Sequence, residues 1–137
     1  MPGRLRPGTP GADLVRIVRI VGAALVLLGV LVVTQLGLAP AWVLAAYLML
    51  GTVSFGIYGF DKRAARRGDW RVSETALHGI DLICGIAGGL LGQAMFRHKT
   101  RKAPFVVLTA LIAGGHLAAL LLLVLGVWQF PAILFPG

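Results

Sequence analysis

Thr75-Ala76-Leu77-His78-Gly79-Ile80-Asp81-Leu82-Ile83-Cys84-Gly85-Ile86-Ala87-Gly88-Gly89-Leu90-Leu91-Gly92-Gln93-Ala94-Met95-Phe96 is the stretch on which the fold turns. It is long enough to cross a hydrocarbon core, which takes about 20 mostly apolar residues in a helix. Its flanks argue against a simple crossing. Arg66, Arg67 and Arg71 precede it and Arg97-His98-Lys99 follows it directly. Short loops rich in Lys and Arg stay on the cytoplasmic side of a membrane. A single crossing would leave one strongly basic loop outside. Gly88-Gly89 offers a reversal point near the middle. A re-entrant apolar hairpin with both ends cytoplasmic is therefore the favoured form, and a plain fourth span is the alternative. Gly85 with Gly89, and Gly88 with Gly92, form two small-xxx-small pairs. Such pairs let helices approach closely in lipid, and they suit packing between copies in a homo-oligomer.

Composition makes lipid the solvent. Of the 137 residues, 58% are hydrophobic and only 13% are charged, against a usual charged share of about 25%. A soluble domain of this size could not hide so much apolar surface. The net charge is +8, and all thirteen Lys and Arg fall in three places. Arg4, Arg6, Arg16 and Arg19 precede or open the first apolar run. Lys62, Arg63, Arg66, Arg67 and Arg71 follow the second, and Arg97, Lys99, Arg101 and Lys102 follow the third. Charge thus marks the ends of apolar segments.

Residues 1–13 read as a disordered basic tail, rich in Pro and Gly. Residues 14–137 read as one transmembrane helical domain. Ile17 to Leu38 is a first span, Ala39-Pro40-Ala41 a tight turn, and Trp42 to Phe60 a second, antiparallel span with Trp42 at the interface. The first run also resembles a signal peptide ending near Ala39-Pro40-Ala41, but it exceeds the usual h-region of about 7–15 residues. The second helix should continue through Asp61 to Arg67, with Gly68 beyond its end. Ser73 is placed to cap the next helix, with Glu74 in its first turn. Pro104 suits a helix start, and Phe105 to Trp128 forms the last span. The expected class is all-α integral membrane, with three full spans plus the glycine-rich hairpin, or four spans. The expected location is a prokaryotic cytoplasmic (inner) membrane, with the N-terminus cytoplasmic.

Two groups carry possible chemistry. The first comprises Asp61, Lys62, Arg71, Glu74 and the run Arg97-His98-Lys99-Thr100-Arg101-Lys102. That run precedes a helix start, where free N–H groups and the helix dipole favour anions. Arg adds a planar fork matched to phosphate or carboxylate. Lys62, Arg71, Arg97, Lys99, Thr100, Arg101 and Lys102 are the candidate anion-binding set. Basic residues beside a span also fix topology and touch anionic lipid, at about 1 kcal/mol each. His98 with Asp61 or Glu74 would be the acid–base pair of an enzyme acting on a lipid or lipid-linked phosphate. The second group is Glu74, His78 and Asp81, at helical spacing on one face. An intramembrane acid suggests a function by default, here a proton or solute path in a small transporter. Two carboxylates and one imidazole are too few for a metal centre. His116 reads as structural, and Cys84, the single cysteine, as a small buried hydrophobe. Soluble-enzyme motifs such as a Walker loop or HExxH are absent.

Tyr58-Gly59-Phe60-Asp61-Lys62-Arg63-Ala64-Ala65, Trp70-Arg71-Val72-Ser73-Glu74 with Leu77, Gly88-Gly89 with Gly92, and Phe96-Arg97-His98-Lys99-Thr100 with Lys102 and Phe105 together resemble the domain-of-unknown-function 1294 family of small prokaryotic membrane proteins. The resemblance covers roughly residues 45–125. It implies no activity or cofactor. It places Asp61, Lys62, Arg71, Glu74, Arg97, His98, Lys99 and Thr100 on the family's motif and leaves His78 and Asp81 off it. Some members carry an N-terminal cold-shock domain, which implies nucleic acid as one partner class. The leading expectation is a membrane scaffold with a cytoplasmic anion-binding site. Its ligand would be a lipid headgroup, a phosphorylated metabolite or nucleic acid.

Overall fold

The computed structural model describes residues 10–96 and 102–126, and it is helical throughout apart from short links. Helix α1 is Pro10–Gln35, α2 is Ala41–Arg67, α3 is Glu74–Ile80, α4 is Ile86–Phe96 and α5 is Ala103–Val124. A broken turn, Asp81–Gly85, joins α3 to α4. Four helical segments, α1, α2, Glu74–Phe96 and α5, are long and apolar enough to cross a membrane.

Local chemistry sets the ends. Gly37 (φ 73°) closes the short link between α1 and α2. Gly68 (φ 70°) ends α2 and returns its N–H to Ala64 O, a left-handed cap that glycine takes without strain. The Ser73 hydroxyl caps α3 by accepting from Ala76 N–H at 3.2 Å. Pro104 lies in the first turn of α5. The helix α1 starts at Pro10, so residues 10–13 of the expected tail are helical, with Asp13 in the favourable first turn.

The middle segment folds back on itself at Cys84, whose φ of 114° and ψ of 1° are not helical. Leu77 in α3 and Phe96 at the end of α4 pack in one cluster around Tyr58 and Phe105. A straight helix would hold them about 28 Å apart. A Cβ added to Gly89 would overlap the Asp81 carboxylate, which puts the two arms side by side. α3 descends along α2, and α4 climbs back beside it, with Gly88 against Gly51 and Gly92 against Tyr58.

The reversal expected at Gly88-Gly89 is therefore at Cys84-Gly85. Gly88 and Gly89 are helical and buried, because the close approach of α4 to α2 and to Asp81 leaves no room for a side chain there. All four glycines of the two small-xxx-small pairs are buried within the chain.

The hairpin is the centre of the molecule. Over its most apolar window it is 56% buried, against 28%, 22% and 17% for α1, α2 and α5. Ala23, Val26, Val30 and Val33 of α1 pack with Ile86, Ala87 and Leu90 of α4, and with Ile112 and Leu120 of α5. Their spacing on α1 is the stripe of a helix with one buried face. The remaining faces are richly apolar and exposed, as at Leu28, Met49, Leu111 and Leu121.

Candidate functional site

Two polar assemblies stand out. One lies at the end where the hairpin begins and finishes. Asp61 is fully buried in the last turns of α2, and its Oδ1 accepts from the Val72 N–H at 2.8 Å. That bond ties the end of α2 to the link before α3. Glu74 opens α3, and its carboxylate meets Lys102 Nζ at 2.7 Å, with both side chains substantially exposed. Lys102 immediately precedes α5, so the ion pair joins the start of α3 to the start of α5. Lys62 is partly buried, and Arg71 is exposed on the same end. Of the sequence candidates, Arg97, His98, Lys99, Thr100 and Arg101 lie outside the described residues. Of the third basic cluster, Lys102 is thus brought to the start of α3.

The second assembly is buried between the helices. Asp81 accepts from the Ser54 hydroxyl at 2.6 Å and from the Tyr58 hydroxyl at 2.9 Å. Gln93 Nε2 donates to Tyr58 Oη at 3.1 Å and to Thr109 Oγ1 at 3.2 Å. This network links α2, the broken turn, α4 and α5. Ser54, Asp81, Gln93 and Tyr58 are essentially inaccessible. Arg19 of α1 is also buried and lies within electrostatic range of Tyr58.

The stripe Glu74, His78 and Asp81 does not form one site. Glu74 pairs with Lys102, the His78 ring lies 4.2 Å from that of Phe105, and Asp81 turns toward α2. Among the described residues no group of three His, Cys, Asp or Glu side chains is placed to hold a metal ion.

Ser54, Gln93 and Thr109 were not singled out by the sequence, and Tyr58 only as part of the family-like motif. Their signal was nonetheless there: polar residues inside apolar runs, with Ser54 and Tyr58 one turn apart. His116 is structural in a specific way. Its Nδ1 is 2.6 Å from the Tyr47 hydroxyl, and the two rings meet edge to face at 5.5 Å.

The family described as "Protein of unknown function (DUF1294)" matches residues 51–105. The uncharacterised protein YsdA of Bacillus subtilis (strain 168) is 44% identical over 64 residues, which are 46% of this chain and 72% of that protein. The chain belongs to the DUF1294 family. No solved structure matches it. The family segment begins at Gly51, where α4 touches α2, and ends at Phe105, beside the hairpin's feet. It thus contains the hairpin, the half of α2 that holds it and, in sequence, both basic segments that flank it.

Proposed function

We propose that the chain is a multi-pass protein of the prokaryotic cytoplasmic membrane that binds a phosphate-bearing anion on its cytoplasmic face. In this reading α1, α2 and α5 cross the bilayer. The hairpin Glu74–Phe96 re-enters without crossing, and the N-terminus is cytoplasmic. The observation that carries it is the fold-back of the hairpin, whose arms bring Leu77 and Phe96 into one cluster while Glu74 pairs with Lys102 at the start of α5. Both flanks of the hairpin then belong on one side in this reading, as the positive-inside rule asks of basic loops. Arg16 and Arg19, at the start of α1, join them at the same end. Many cations share this end with few carboxylates, and Asp61 and Glu74 are already engaged. An anion would complete the balance.

Two measurements test the reading. In a chain whose Cys84 is replaced by Ser, Arg71→Cys and Lys102→Cys should both react with an impermeant thiol reagent from the cytoplasmic side. Labelling from opposite sides would sink the re-entrant topology. For the anion, inorganic pyrophosphate should quench or shift the fluorescence of exposed Trp70, beside Arg71, in a Trp42→Phe, Trp128→Phe background. Arg71→Gln with Lys102→Gln should weaken this binding about tenfold or more. No response at millimolar pyrophosphate would overturn the anion site.

A further inference from the structure

A groove of about 460 Å³ runs between α3 and α5. That size falls within the roughly 300–1,000 Å³ of small-molecule sites. One face of α3 lines it with Glu74, His78 and Gly79, the broken turn adds Leu82, and α5 contributes Leu108 and Ile112 opposite. Its chemistry changes steadily along its length. At the upper end the lining residue Glu74 pairs with Lys102, which stands just outside the groove with its side chain 62% exposed. Next comes His78, held against Phe105. The lower end is wholly apolar, at Leu82, Leu108 and Ile112. Midway, a Cβ added to Gly79 meets no atom within 4 Å, so the groove is open there.

We propose that this groove holds one acyl chain of a phospholipid whose phosphate lies at Lys102. The inference rests on the cytoplasmic-face reading above, which sets Lys102 at headgroup depth. A groove open sideways at the depth of Leu82 meets lipid tails rather than water. Its ionic end then faces the headgroup layer. A soluble phosphate ester would leave the apolar half unfilled, and a plain hydrocarbon would leave the ionic end unused. A phospholipid matches both ends. The Glu74 carboxylate beside Lys102 keeps the ammonium near the groove mouth.

The test uses the full chain in mild detergent with added phosphatidylglycerol, read by native mass spectrometry. Gly79→Leu puts a side chain into the groove from a position where its Cβ meets no protein atom. Gly56→Leu is the matched control, because a Cβ there also meets nothing within 4 Å and Gly56 lies on α2, away from the groove. Wild type and Gly56→Leu should carry one retained phospholipid. Gly79→Leu should lose it by at least tenfold, with its melting temperature unchanged. Retention in Gly79→Leu, or equal loss in both variants, overturns the groove. Retention in Gly79→Leu while pyrophosphate still binds would defeat the groove and leave the anion reading standing. Loss in Gly79→Leu without any response to pyrophosphate would place a tail there but overturn the phosphate position at Lys102.

Discussion

Cys84 adopts φ 114° although it is not glycine. An L-residue there carries backbone strain of about 1–2 kcal/mol. Cys84→Gly should therefore melt higher than Cys84→Ala in detergent, since the two differ mainly in that strain. Equal melting would mean that the surrounding packing has absorbed it. Tyr58 is the opposite case, a side chain fully used. Its hydroxyl donates to Asp81 and accepts from Gln93. Tyr58→Phe should cost about 1–3 kcal/mol, because it strands two buried polar groups at once. Unfolding by increasing SDS in mixed micelles measures this. A cost below about 0.6 kcal/mol, the average for hydrogen bonds between membrane helices, would mean that the network repairs itself.

At the scale of elements, the hairpin is held by the close approach of α4 to α2. A Cβ at Gly88 would run into the backbone carbonyl of Gly51, which cannot swing aside. Gly88→Val should destabilise the fold by at least the ~1–3 kcal/mol typical of overpacking. Gly114→Val, on an open face of α5, should change it far less. The tip packs on the cluster that holds Tyr47, whose hydroxyl pairs with His116. His116→Ala should raise amide hydrogen exchange in residues 82–86 while leaving α1 protected. Much of this element was legible. The basic flanks of Thr75–Phe96 pointed to a hairpin, since charge is costly to move across lipid. The bend itself was misplaced. Glycine marks either a turn or a close contact, and only the position of α2 decides which. Here the glycine pair serves the contact, and the turn falls on a cysteine. Ser73 and Gly68 were readable because their caps depend on local sequence alone. The Asp81 network was not, because its partners come from three other segments.

At the scale of the whole molecule, the basic ends are what should orient the chain. If so, Leu36→Lys, Leu38→Lys and Ala39→Lys together, in the link between α1 and α2, should produce a mixed population of orientations. Thiol labelling of a Lys102→Cys chain would then come from both sides. A single orientation would show that something other than loop charge sets it. The arrangement of helices also has a consequence for how the protein is made. The hairpin is the third element to leave the ribosome, but one partner of its buried Gln93, the Thr109 hydroxyl, belongs to α5, the last. Lipid offers no water to stand in for such a partner. The centre of the molecule must therefore wait for its final helix. A nascent chain halted near Lys102 would leave a half-sealed bundle, open to membrane proteases until synthesis resumes.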